Sequence, residues 1–327
     1  MAVTDHPARE TSDLWHHTVQ VPATSANLGA GFDAFGVALD QHLVVRSVPR
    51  GQQAERVRAL DDTPVPTGDD NLVWRSFVAF CERYDVAVPD VAVVARTRIP
   101  LERGLGSSSA AIVAGLTLAR ELTRVVVGDP AVVELATDIE GHPDNVAPAV
   151  LGGLVACARG DDGQLVIRRH NPTPALTPAL FVPELRQSTA SARAVLPGSL
   201  PRAEVAEQAA RAGHVLAALT GAWPPAANLS GDRLHEPARA GVMPASTELL
   251  TTLRQRGVHA WLSGAGPSVA AVLQRGQAIG ELAVLAEERG FAAETLAWDL
   301  SGARSCPDGA CGLSGLSDCP LCPRHRL

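Results

Sequence analysis

Between Val91 and Thr123 a β-branched run, a proline, the hexapeptide Gly104-Leu105-Gly106-Ser107-Ser108-Ser109 and an alanine-rich stretch follow one another without interruption. Val91–Arg98 reads as a strand that breaks at Pro100, and the residues after the hexapeptide carry helical character to about Thr123. This order requires a tight backbone turn that delivers the chain directly into a helix. Two glycines let backbone N–H groups approach an anion, the serines add donors, and the helix turns its unpaired N–H groups and positive dipole end toward the charge. The segment therefore suits a phosphate cradle, although a flexible turn with a serine helix cap accounts for the same residues.

The chain has no lysine, so all 28 of its basic residues are arginines and the loop G-x-x-x-x-G-K-[ST] occurs nowhere. The G-x-G-x-x-G dinucleotide pattern also fails, because Ser109 stands where its third glycine would fall. Any phosphate binding here is of another type. A formal net charge of −7, with no dense arginine block, argues against nucleic acid or an anionic membrane as partner and for a small molecule. No run of about 18 apolar residues is present, and the polar N-terminus lacks the apolar core of a secretion signal, which points to a cytoplasmic protein.

With 327 residues, 46% of them hydrophobic, two folded units are expected. Residues 1–16 read as a loose leader, 17–170 as the first unit and 171–300 as the second, with the proline-punctuated 171–178 between them. Strands and helices mix without repeated βαβ units, which argues for two α+β sandwiches with antiparallel sheets. Four of the six cysteines, Cys306, Cys311, Cys319 and Cys322, crowd residues 301–327, where a structural Zn2+ site, redox chemistry and an inert appendage all remain open. Cys81 and Cys157 sit alone in apolar segments and read as small buried residues.

Three further segments are dense in polar groups. Val21–Asp33 packs Asn27, Asp33, two hydroxyls and two glycines between apolar residues; it suits a ligand loop, with Asp33 able to hold an ammonium, or a capped turn between two strands. Gly141-His142-Pro143-Asp144-Asn145 offers an imidazole, a carboxylate and an amide in one turn, or simply starts a helix. Trp261–Val269 joins two strands through Gly264 and Gly266, and could approach the serine loop across a cleft. Arg193 and Arg239 could fork onto a carboxylate. Glu134 and Glu140 lie six residues apart, on different helical faces, so at most one can reach a Mg2+ ion.

Taken in order, PATSANLGxGFD, GLGSSSA, EGHPDNVAP and SGAGPS resemble the homoserine kinase branch of the superfamily of galactokinase, homoserine kinase, mevalonate kinase and phosphomevalonate kinase, over roughly residues 17–300. The resemblance implies an N-terminal domain like the second domain of ribosomal protein S5, a ferredoxin-like C-terminal domain, and Mg2+-dependent transfer of phosphate from ATP to L-homoserine in threonine biosynthesis. It places Gly104, Leu105, Gly106, Ser107, Ser108 and Ser109 around the ATP phosphates, Asn71 near the adenine, and Mg2+ on Ser108 and Glu134, with Glu140 the alternative. Arg103 is the basic residue nearest that loop. It also implies amino-acid binding by Asn27, Asp33, His142, Asn145, Thr189, Arg193 and Arg239, with Asn145, His142 and Arg193 closest to the chemistry and Asn145 where other superfamily members carry a catalytic aspartate. A different hydroxy amino acid as acceptor and a non-catalytic metabolite sensor are the alternative readings. A homodimer is the candidate assembly.

Overall fold

The structure, a computed structural model, describes residues 17–51, 55–59, 65 and 67–307. The Val21–Asp33 segment forms the junction of two long strands, β1 (His17–Asn27) and β2 (Gly31–Pro49), which pair antiparallel. Strand β2 changes partner along its length. Its first residues pair with β5 (Leu154–Arg159), its last with β4 (Val91–Thr97), and β5 continues into β6 (Leu165–His170) as the Gly160–Gly163 turn predicts. A short β3 (Val57–Ala59) adds to β4 in parallel, a departure from the antiparallel expectation.

Helices α1 (Leu72–Arg83), α2 (Ser107–Thr123), α3 (Asp129–Glu140) and α4 (Pro143–Leu151) accompany this sheet. The Val73, Phe77, Phe80 spacing makes one buried face of α1, and removing each fully buried phenylalanine from water contributes about 2–3 kcal/mol. Helix α2 is built largely of small residues, and its middle approaches α1 closely at Gly115, where a Cβ would fall 2.2 Å from the Val73 carbonyl oxygen.

The second sheet has the order β10-β7-β9-β8, all antiparallel: β7 (Leu176–Pro183), β8 (His259–Leu262), β9 (Val269–Gln274) and β10 (Phe291–Thr295). Its strands alternate with period two. Leu180, Trp261, Ala270 and Val272 join the core of the first unit, whereas Ala179, Phe181, Ala260, Val269, Ala271 and Leu273 pack with leucines of α8 (Pro244–Gln255) and α9 (Gly280–Glu287). One face of the second sheet thus packs into the core of the first unit, while the other face closes a separate core with α8 and α9. The connections carry α5 (Thr189–Ala194), α6 (Arg202–Thr220) and α7 (Glu236–Arg239).

After β10 the chain returns to the first unit. Trp298 bridges to Leu39, and β11 (Arg304–Pro307) lines up along β1. The return is pinned by buried Asp299, which accepts from the Ser301 and Gly302 amides at 2.8 Å each, from His42 Nε2 at 2.8 Å and from Arg304 at 3.0 Å. Although burial opposes ionisation, these partners hold the Asp299 carboxyl below its ordinary range. Residues 304–307 therefore form a sheet edge, not the start of an appendage. Cys306 is buried in that strand, while Cys311, Cys319 and Cys322, like the leader 1–16, lie outside the described residues. No helix among the described residues is long and apolar enough to cross a membrane.

Candidate active site

The serine loop is anchored to the protein on one side and borders a cleft on the other. Leu105 is buried, and its carbonyl accepts from the Thr24 amide at 3.2 Å. Gly104 and Gly106 take φ of +75° and +67°; a Cβ would lie 2.1 Å from the Ser263 carbonyl oxygen at the first and 1.9 Å from Thr24 Oγ1 at the second. Both positions are thus closed to side chains by backbone conformation and by space. Ser107 starts α2, and no side chain caps its first turn, so the N–H groups that suit an anion border the cleft beside Gly106, Ser107 and Ser108.

The segments that look separate in sequence meet here. Ser263 Oγ donates to the Gly104 carbonyl at 2.7 Å and shares a 2.8 Å hydrogen bond with Ser25 Oγ, to which Trp261 Nε1 donates at 2.9 Å. Asn27 Nδ2 donates to the Gly264 carbonyl at 2.8 Å, and its Oδ1 accepts from the Asp33 amide at 3.1 Å. One buried asparagine thereby ties the first motif to the glycine turn of the second sheet and positions Asp33. Helix α4 docks on β2 at Gly36, where a Cβ would come within 1.7 Å of the Asp144 carbonyl oxygen. That contact brings Asp144 and Asn145 under the loop. Asn145 Oδ1 accepts from Thr24 Oγ1 at 2.8 Å, Asn145 Nδ2 donates to Asp144 Oδ1 at 3.3 Å, and His142 Nδ1 lies 2.6 Å from the same oxygen.

A cleft of about 240 Å³ results, lined by Asn27, Asp33, Gly104, Gly106, Ser107, Ser108, Glu140, His142, Asn145, Thr189, Arg193 and Arg239 from the sequence analysis. Phe32, Glu102, Asp144, Gln187, Ser188, Gly264 and Ala265 complete the lining. Phe32 lies within the first motif, but only the fold shows what it does: the Arg193 and Arg239 guanidinium carbons stand 5.5 and 5.7 Å from its ring centre.

Five expected residues do not line this cleft, the buried Leu105 among them. Glu134 is exposed, and it is Glu140, at the end of α3, whose Oε1 accepts from Ser108 Oγ at 2.7 Å and Ser109 Oγ at 2.9 Å. The six-residue offset on α3 turns Glu134 away from α2. Arg103 points to the second unit, donating to the carbonyls of Pro183 at 2.7 Å and Glu184 at 2.9 Å. Asn71 is the N-cap of α1, its Oδ1 accepting from the amides of Val73 at 2.8 Å and Trp74 at 3.4 Å. Ser109 is fully buried and reaches the site only through Glu140.

The charges are arranged in two groups. Asp33 and Arg193 form a bidentate pair at 2.6 and 3.0 Å on the open side. Arg239 is 2% exposed, and donates to the carbonyls of Ala192 at 3.2 Å and Gly264 at 3.0 Å and to His235 Nδ1 at 2.9 Å. Burial, then the nearby Arg193 charge, lowers the Arg239 pKa; burial, then the Arg239 charge, holds His235 well below the ordinary imidazole range, which suits it to accept. For His142, burial favours the neutral ring, but the hydrogen bond and charge of Asp144, aided by Glu140, outweigh it and raise the pKa.

The site tolerates the groups that a phosphate-transferring enzyme requires. Uncapped N–H groups and hydroxyls border the cleft where phosphates would lie, and Glu140 with Ser108 supplies hard oxygen donors of the kind Mg2+ takes. Residues 71–153 match the family described as GHMP kinases N terminal domain, and residues 215–287 match GHMP kinases C terminal. Homoserine kinase from Streptomyces avermitilis is 40% identical over 294 residues, covering 88% of this chain and 95% of its own; that from Clavibacter michiganensis is 41% identical over 261 residues, covering 77% and 80%. Among solved structures, homoserine kinase from Cytophaga hutchinsonii superposes with a TM-score of 0.75 at 23% identity, covering 93% of this chain and 100% of its own. A Listeria monocytogenes structure gives 0.70 at 31% identity, covering 89% and 99%. With the two-unit fold, the serine loop against Glu140 and curated relatives about 40% identical over 80% and 95% of their own length, the chain belongs to the homoserine kinase family of the GHMP kinases, which are ATP-dependent enzymes.

Proposed function

We propose that this chain transfers the γ-phosphoryl group of ATP to the side-chain hydroxyl of L-homoserine, giving O-phospho-L-homoserine for threonine synthesis. The observation that carries the choice of acceptor is Arg239, a buried guanidinium with carbonyl and imidazole partners, in the same cleft as the Asp33–Arg193 pair. A zwitterion complements that set. Its carboxylate would meet Arg239 and Arg193, and its ammonium would replace Arg193 on Asp33. A ligand lacking the carboxylate leaves the buried Arg239 charge unmatched, at a cost of about 3–5 kcal/mol where the site is dry, and one lacking the ammonium makes its carboxylate compete with Asp33 for Arg193.

Bound Mg2+, held by Glu140 and the Ser108 hydroxyl, would neutralise charge on the β- and γ-phosphates. The chain's own residues do the rest. The amides of Gly106 and the first turn of α2 orient the phosphates, while Asn145 lies against the loop where donor and acceptor must meet. Asp144 is an unsuitable general base, since it is 2% exposed and its Oδ1 already serves His142 and Asn145. Because the transition state of phosphoryl transfer is loose, alignment and charge neutralisation carry the catalysis, with little prior deprotonation of the hydroxyl. The chemistry exchanges the bond between the γ-phosphorus and the bridging oxygen of ADP for one to the hydroxyl oxygen, whose proton leaves to solvent as that bond completes.

A panel of alcohols assayed by coupled ADP release tests the proposal. Homoserine should give the highest kcat/KM, with homologous amino alcohols and hydroxy acids at least about 100-fold lower. Faster phosphorylation of another hydroxy amino acid would move the acceptor, and no ADP release with any of them would leave a sensor.

A further inference from the structure

A half-turn of its end group decides whether Asn145 shows the cleft an acceptor or a donor. Two neighbours make that decision. Asp144 is buried, and its carboxylate oxygen, which can only accept, lies 3.3 Å from Asn145 Nδ2 and 2.6 Å from His142 Nδ1. Reversing the amide would set two acceptor oxygens against each other. On the opposite side Thr24, fully buried, donates to Asn145 Oδ1 at 2.8 Å. Thr24 is itself immobilised, because its amide donates to Leu105 and its hydroxyl fills the space that a Cβ on Gly106 would need.

We infer that Thr24 and Asp144 are positioning residues that clamp the Asn145 amide from both sides, leaving one Nδ2–H for the cleft and so making Asn145 a hydrogen-bond donor to the transferring phosphoryl group. The inference rests on the phosphotransfer reading above. It assigns work to two residues outside the resemblance-based set, and it gives the amide, where other superfamily members carry an aspartate, a definite polarity. The same Asp144 oxygen also fixes which nitrogen of His142 is engaged behind the site.

Double-mutant cycles test the clamp. Thr24→Val and Asp144→Asn should each lower kcat roughly 10-fold or more while leaving KM for ATP within about twofold, and Thr24→Ser, which keeps the hydroxyl, should recover most of the rate. In an Asn145→Ala background Thr24→Val should cost nothing further, and most of the Asp144→Asn loss should vanish. If Thr24→Val keeps its full effect in that background, or Thr24→Ser is as slow as Thr24→Val, the clamp is wrong. A second readout needs no turnover. Exchange of the Asn145 Nδ2–H that faces Asp144, resolved by NMR from the one that faces the cleft in the free enzyme, should be slow in the wild type and quicken at least about 10-fold in Thr24→Val, with an unchanged rate overturning the proposal. Should homoserine prove not to be the acceptor, the substrate reading falls, while the exchange measurement still decides the clamp.

Discussion

Replacing Arg239 with methionine separates what the site needs for function from what the fold needs for stability. The guanidinium is 2% exposed and holds three neutral acceptors, the carbonyls of Ala192 and Gly264 and Nδ1 of His235. Burial and Arg193 together lower its pKa, so the protein keeps this cation charged against its surroundings. Methionine matches the length of the stem and removes the charge. Three hydrogen bonds are lost, each worth about 1 kcal/mol, but the cost of a desolvated cation is removed too, so the net change should stay within about 2 kcal/mol. For a protein of this size that is a melting shift of no more than about 8 °C. The substrate carboxylate, by contrast, would enter a buried site without its partner, at about 3–5 kcal/mol, or roughly 150- to 5,000-fold in kcat/KM for homoserine. Coupled ADP-release kinetics at saturating ATP, with thermal melting of the same preparations, measures both. A loss below about 10-fold, or an equal rise in KM for ATP, would refute the assignment of Arg239 to the carboxylate.

Gly106→Ala places a methyl group 1.9 Å from Thr24 Oγ1 at φ +67°, and should destabilise the fold by about 2–4 kcal/mol in urea denaturation; a loss under 1 kcal/mol would mean that the loop relaxes freely. Glu140→Gln should reduce kcat at least about 10-fold and raise the Mg2+ concentration needed for half-maximal rate, whereas Glu134→Gln should leave both within about twofold; the reverse pattern in a magnesium titration would restore Glu134 as the ligand. Burial, with the charges of His214 and Arg254, lowers the His259 pKa from 6.5 to about 4. Between those values the unfolded chain binds a proton that the folded chain does not, so stability should fall as pH drops through 6.5, by about 2 kcal/mol at pH 5 relative to pH 8. His259→Leu should flatten that slope in urea denaturation at the two pH values, and an unchanged slope would exclude His259 as its source.

Local chemistry carried much of this protein's reading. The strand, glycine–serine loop and helix from Val91 to Thr123, the single apolar face of α1 and the Gly160–Gly163 hairpin follow from periodicity and turn residues, and the structure contains each of them. The lack of lysine excluded the common nucleotide loop before any fold was known. The family resemblance carried by four motifs implied an amino-acid site that includes Asn27, Asp33, His142, Asn145, Arg193 and Arg239, and these six residues line one cleft.

Spatial pairing was not legible in the same way, because it depends on how finished elements dock. Helical period shows that Glu134 and Glu140 cannot share a face, but only the packing of α3 beside α2 selects Glu140 for Ser108. Arg103, next to the loop in sequence, turns to carbonyls of the second unit, and Asn71 caps α1 through its Oδ1. The return of residues 298–307 to the first sheet rests on Asp299, His42 and Arg304, far apart in the chain and without a shared pattern. Sequence determined which groups this protein possesses and the local turns that carry them; the tertiary structure decided which group faces which, since a buried carboxylate or guanidinium takes its partner from whatever docking brings within about 3 Å.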